Sequence, residues 1–204
     1  MDGFQKTVEG GITLESNALK KEFQNVIITV SGLPGSGTTT ASELLVDKTG
    51  MDFISSGEIF RMMAEEHEMS LEEFSNLAED DDRIDRELDQ RMVEVAEKGK
   101  ILEGRLTGHL IHRSEKKAYK VWLEAPLEVR VDRIAEREGD QSGLKDKVVS
   151  REKSERKRYE EYYGIDLRDR SIYDQVIDSD KNSPEEIVNK IIARVKDEIC
   201  ERKI

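Results

Sequence analysis

The chain of 204 residues has one cysteine, three histidines, 5% aromatic side chains and no surplus of positive charge. Each shortage excludes something. A single thiol, Cys200, rules out an intramolecular disulfide and a thiolate metal cluster, and it fits a reducing compartment. His67, His109 and His112 lack the spacing of a metal-ligand set. A formal net charge of −12 disfavours a uniformly basic nucleic-acid surface, because phosphate backbones reward positive fields. No stretch approaches the roughly 20 apolar residues of a membrane span. Residues 1–25 carry charges throughout and lack the apolar run of a secretory signal. The expected protein is cytoplasmic and monomeric, with no nucleic-acid and no membrane partner.

Hydrophobic residues make up 36% of the chain, enough for one packed domain with small inserted lids. Residues 1–24 are polar and read as an extension, with a short helix over 16–24. The β-branched run Val26–Ser31, ending at Gly32, reads as a buried parallel strand. A helix over 39–48 follows, then a short strand at 51–55 and a helix over 57–66. Residues 70–98 are helical and very polar. Lys100–Glu103 and Lys120–Glu124 are further strands. Pro126 opens a helix that runs to Arg137 and stops at Gly139. The charged segment 142–163 reads as a mobile helical flap. Gln175–Asp178 is a last strand, and Ser183-Pro184-Glu185-Glu186 starts the final helix with an N-cap, Pro at N1 and an acidic first turn. Strands alternating with helices imply an α/β fold, a central parallel sheet with helices on both faces.

Gly32-Leu33-Pro34-Gly35-Ser36-Gly37-Thr38-Thr39 sits between a predicted strand and a predicted helix. In that context the glycines let the backbone curl its N–H groups round a phosphate chain, and the helix N-terminus adds a positive dipole. Thr38 stands where such loops carry lysine, so other cations must serve the outer phosphates. Thr39 takes the place whose hydroxyl holds Mg²⁺.

Arginines lie where phosphates would converge. Ser56-Gly57-Glu58-Ile59-Phe60-Arg61 offers a guanidinium at the start of a helix, suited to bidentate contact with phosphate. Leu102-Glu103-Gly104-Arg105 ends a strand, where such sheets form their ligand crevice. Glu103 is placed to hold Mg²⁺ and Arg105 to reach an acceptor phosphate. Arg130, Arg133 and Arg137 fall at helical spacing and alternate with Asp132 and Glu136, which a salt-bridged helix also explains. Arg151, Arg156 and Arg158 lie in the flap, where closing over nucleotides would exclude water. Asp80-Asp81-Asp82 lacks the glycine turn and spacing of a calcium loop and reads as solvated or helix-capping.

With these residues in view, residues 26–198 resemble the nucleoside monophosphate kinases, most closely the archaeal type of cytidylate kinase. The stretches Ile28–Thr40, Ser56–Arg61, Leu102–Gly108 and Arg151–Asp166 carry the resemblance. It implies a three-layer P-loop kinase fold with a helical NMP-binding insertion at about 55–98 and a lid at about 138–166. The implied reaction is transfer of the γ-phosphoryl of ATP to CMP or dCMP, with Mg²⁺. The implied site has Gly32 to Thr40 on the ATP phosphates, Arg133 on the adenine side, and Arg105, Arg137, Arg151 and Arg158 in catalysis. Ser56, Gly57, Arg61, Asp85, Arg86 and Arg105 would bind the acceptor. Two other readings stay open: a kinase for another small acceptor, or a nucleotide-binding protein that lost catalysis with the lysine.

Overall fold

The computed structural model describes residues 19–139 and 142–201. Five strands form one wholly parallel sheet: β1 (Ile27–Gly32), β2 (Asp52–Ser55), β3 (Lys100–Glu103), β4 (Tyr119–Glu124) and β5 (Gln175–Asp178). Their spatial order is β2-β3-β1-β4-β5. The first strand is therefore central, and the chain winds outward from it in both directions. The order reverses beside β1, the point where an open parallel sheet leaves its ligand crevice at the carboxyl ends of the strands.

Eight helices connect and follow the strands: α1 (Thr38–Thr49), α2 (Ser56–Glu66), α3 (Leu71–Asp80), α4 (Asp82–Glu94), α5 (Thr107–Arg113), α6 (Leu127–Glu138), α7 (Leu144–Tyr163) and α8 (Pro184–Cys200). Alternation along the strands assigns the two faces. Ile28, Val30, Ile101, Tyr119, Val121 and Leu123 point to one side, where Leu45 of α1 and Ile187, Val188, Ile191 and Val195 of α8 cover them. Ile27 and Leu102 point to the other, against Ile59 and Met63 of α2, Phe74 of α3, Met92 of α4 and Ile111 of α5.

Local chemistry marks the helix ends. Ser55, Ser70 and Ser183 each begin a helix with a reciprocal capping box, closed by Glu58, Glu73 and Glu186. The polar segment 70–98 becomes two helices, because Asp81 leaves helical geometry and its carboxylate caps α4 through the Arg83 N–H. That gives the acidic stretch a capping role.

Two features differ from the sequence reading. Helix α5 was not anticipated; its seven residues are too short for a periodicity signal. Phe23, inside the expected extension, is fully buried in the core beside Val26 and Val195, so packing begins before the first strand. The rest of the extension, 1–18, lies outside the described residues. Among the described residues, no helix is long and apolar enough to cross a membrane.

Leu45 is 0% exposed between the sheet and α8. Leu45→Ala is expected to cost about 2–5 kcal/mol, measured as a lowered urea midpoint with the slope unchanged.

Candidate active site

The carboxyl end of β1 runs into the loop 33–37. Two glycines there have left-handed backbone, Gly35 (φ 79°) and Gly37 (φ 88°), a conformation costly for other residues. Gly35 is also constrained by space, since a Cβ at that position would lie 2.4 Å from the Arg130 carbonyl oxygen. Gly37 serves as the N-cap of α1 with no side-chain cap. The first-turn N–H groups of Thr38, Thr39 and Thr40 are thus left for an anion, assisted by the helix dipole.

Strand β3 lies alongside, with Glu103 in register with Val30. The Thr38 hydroxyl donates to Glu103 Oε1 at 2.7 Å. The sequence reading set Thr39 and Glu103 around Mg²⁺; in the structure the hydroxyl that bonds Glu103 directly is that of Thr38. Successive residues at a helix start project about 100° apart, so Thr38 turns inward and is buried while Thr39 and Thr40 stay exposed. Burial raises the Glu103 carboxyl above the ordinary carboxylate range, partly offset by Thr38 and by Arg105. A half-buried carboxylate beside a threonine hydroxyl offers oxygen donors that suit a hard cation such as Mg²⁺.

Beyond β3, Gly104 lies tight against Ser56, where a Cβ would come within 2.6 Å of the Ser56 hydroxyl. This close approach brings the start of α2 to Arg105. Arg61, one turn along α2, is exposed and has no hydrogen bond or ion pair among the described residues. Arg105 is mostly buried and pairs with Glu155 of α7, which also accepts from Arg151 Nε at 3.0 Å. Arg158 lies 3.3 Å from Asp85 of α4. Arg86, on the outer side of α4, pairs with Asp82 at 2.9 Å and sits over the Tyr162 ring.

The α6 arginines separate. Arg130 is 5% exposed and pairs with Glu152, while donating to the carbonyls of Pro34 and Ala125, each at 3.1 Å. Arg133 donates to Gly35 O at 3.3 Å and to Ser179 O at 2.7 Å. Both brace the phosphate loop from α6. Neither pairs with Asp132 or Glu136. Arg137, a turn further from the loop, is 66% exposed, pairs with Glu138, and is not brought to the other arginines.

Glu152, Glu155, Asp89 and Tyr163 were missed by sequence reasoning. Their signal was present as the i, i+3 and i, i+4 spacing of Glu152, Glu155, Tyr159 and Tyr163, which gives α7 one continuous face. Asp89 follows Asp85 by one turn of α4 and, with Tyr163 against it, has its carboxyl pushed up to about 7 by burial.

Fold and loop together define a P-loop kinase. Solved structures with this fold include shikimate kinase from Acinetobacter baumannii (TM-score 0.56, 16% identity, 87% of this chain and 97% of that one). A gluconokinase from Sinorhizobium meliloti gives a TM-score of 0.54 at 17% identity, covering 85% of this chain and 93% of that one. Residues 27–181 match the cytidylate kinase-like family. The cytidylate kinase of Methanopyrus kandleri is 47% identical over 188 residues, 88% of this chain and 97% of that protein. That of Methanocaldococcus jannaschii is 44% identical, covering 83% of this chain and 97% of that protein. The chain belongs to the cytidylate kinase-like family.

Asp89 generates a test by pH. Its folded pKa of about 7 lies above the ordinary value of roughly 4, so the folded state holds the proton more tightly. Stability is then expected to fall as pH rises from about 4 to about 7. Asp89→Asn should flatten that decline, measured by thermal melting across the range.

Proposed function

We propose that the chain transfers the γ-phosphoryl of ATP to CMP or dCMP, giving ADP and the corresponding diphosphate. The observation that carries this reading is the hydrogen bond from Thr38 to Glu103, because it sets the phosphate loop against the strand end that bears Arg105. Identity of 47% to a cytidylate kinase across nearly that protein's whole length supports the acceptor.

In this reading Gly32, Leu33, Pro34, Gly35, Ser36 and Gly37, with the first turn of α1, hold the ATP phosphates through backbone N–H groups. Arg133 frames the adenine side by tying Gly35 to the loop after β5. Residues 55–98 form the acceptor-binding insertion, in which Ser56, Gly57, Arg61, Asp85 and Arg86 line the site. Arg61 and Arg105 clamp the acceptor phosphate as planar, bidentate cations. Residues 138–166 form the lid, and Arg151 and Arg158 bring positive charge to the transferring group. Arg137 joins them only if the end of α6 moves inward with the lid.

Mg²⁺ would be held by Glu103 and the P-loop hydroxyls of Thr38 and Thr39, and it supplies charge neutralisation at the phosphates. No covalent intermediate on the protein is needed. The chain's contribution is alignment of donor and acceptor and exclusion of water. Because Thr38 supplies no cation, the arginines carry the side-chain charge that a lysine would otherwise bring.

Coupled assays with CMP, dCMP, UMP, AMP and GMP test the acceptor, with the cytidine nucleotides expected to be preferred. Preference for another base would reject it. Arg105→Ala is expected to lower turnover on the order of 10²–10³-fold while leaving the protein folded, with a lowered melting temperature because the buried Glu155 keeps only Arg151. An unchanged rate would remove Arg105 from the mechanism.

A further inference from the structure

Helix α7 reaches the phosphate loop through a buried ion pair. Leu144, Val148 and Glu152 follow at four-residue spacing and share one face of α7. Leu144 and Val148 pack against Ile134 of α6. Glu152 continues that face and meets Arg130, one turn before Ile134 on α6. Arg130 is 5% exposed and Glu152 9%. Both terminal nitrogens of the guanidinium donate to the carboxylate, one to each oxygen. Arg130 Nη1 donates in addition to Pro34 O at 3.1 Å.

The peptide that carries Pro34 O can take two orientations. Ser36 N–H donates to Leu33 O at 3.0 Å and closes a turn over residues 33–36. Proline at the second position and Gly35 with φ 79° at the third are the pattern of a type II turn. Type I and type II turns differ by a flip of the central peptide, which here joins Pro34 to Gly35. In a trans peptide the C=O and the next N–H point to opposite sides. Holding Pro34 O toward α6 therefore turns the Gly35 N–H away from α6. Arg133 holds the next carbonyl, Gly35 O, but its other partner is Ser179 after β5. Of these two braces, the one that α7 meets is Arg130.

We propose that Glu152 is a positioning residue for the donor nucleotide: it fixes Arg130, which fixes the Pro34–Gly35 peptide and hence the N–H that the loop offers to phosphate. A guanidinium gripped by both carboxylate oxygens has little freedom left, so its remaining donor stays aimed at Pro34 O. Without the carboxylate that aim is lost, and the peptide can flip at Gly35, where glycine adds no steric barrier. The coupling is reciprocal, so phosphate in the loop also tightens the seating of α7. The inference rests on the proposed kinase reading for what the loop holds.

The test compares the full-length protein with Glu152→Gln and with the double variant Arg130→Met/Glu152→Leu. Calorimetric Kd values are measured for ADP without CMP and for CMP without ADP, alongside kcat and KM for ATP. Glu152→Gln is expected to weaken ADP binding about tenfold, as for other linked sites, with the Kd for CMP unmoved. The KM for ATP should rise in step, while kcat at saturating ATP holds. The double variant replaces the pair with apolar side chains, which keeps α7 packed on α6 but removes the donor to Pro34 O, so it should weaken ADP binding as much. Folded variants with the wild-type Kd for ADP overturn the inference. So does a double variant that restores ADP binding, or a Glu152→Gln protein that loses ADP and CMP alike, since both results mean that the pair only seats the helix. Wild-type protein gives a further readout that no folding defect can obscure. ADP alone should slow tryptic cleavage at Lys153, an exposed residue of α7, severalfold by suppressing local opening; cleavage indifferent to ADP overturns the inference. Protein whose ADP binding depends on Glu152 but which phosphorylates no monophosphate would reject the kinase reading alone.

Discussion

A buried guanidinium needs its donors and its charge satisfied, and Arg130 meets that need by holding three segments at once. Its Nη1 donates to Pro34 O in the phosphate loop and its Nε to Ala125 O at the end of β4. Its charge is met by Glu152 of α7. Removing one partner of such a pair leaves the other buried and uncompensated, typically at a cost of about 3–5 kcal/mol. The loop conformation is therefore linked to the seating of α7. Gly35 follows from the same contact, because only a residue without Cβ lets the loop approach the Arg130 backbone so closely.

The pattern repeats across the site. Arg105 and Arg151 share Glu155, and Arg158 faces Asp85. Under the proposed function, three arginines that meet anionic ligands are thus already engaged by the chain's own carboxylates. This reconciles a net charge of −12 with a function in phosphate chemistry. A dense cluster of unpaired arginines would repel itself, whereas interleaved carboxylates permit compact packing until phosphate arrives. Under the proposed function, nucleotide phosphates compete with Glu155 for Arg105. Arg61, exposed and without an ion pair among the described residues, is ready to meet an acceptor without that exchange.

The strand-loop-helix unit at 26–48 was legible because β-branched residues, glycines and helix formers each favour the same local structure over a short span. The start of α8 was legible for the same reason, with Ser183, Pro184 and Glu186 all acting within one turn. What sequence could not resolve is the direction in which a helix turns its polar side chains. Arg130, Arg133 and Arg137 looked equivalent at helical spacing, but the first two brace the phosphate loop and the third faces solvent. Glu152 and Glu155 looked like the solvated face of a charged flap. They are buried, because arginines from β3–α5 and α6 meet them from outside the helix. Contacts between segments 22 and 50 residues apart leave no local trace.

Position 38 shows how such a substitution can be accommodated. A lysine there would place an ammonium at the entrance of the loop, near the Glu103 carboxylate. Threonine is too short to extend over the phosphates, so its hydroxyl turns inward and donates to Glu103. The substitution removes a positive charge from the donor side and adds an oxygen beside a half-buried carboxylate. Under the proposed function the local balance shifts toward cation binding, while the work of neutralising transferred phosphate passes to guanidinium groups on the β3–α5 connection and α7. Those groups are planar, always charged and bidentate, and they arrive from two separate elements. In the proposed mechanism, charge at the reacting phosphate is therefore assembled by closure of α7 and is not supplied in full by the loop.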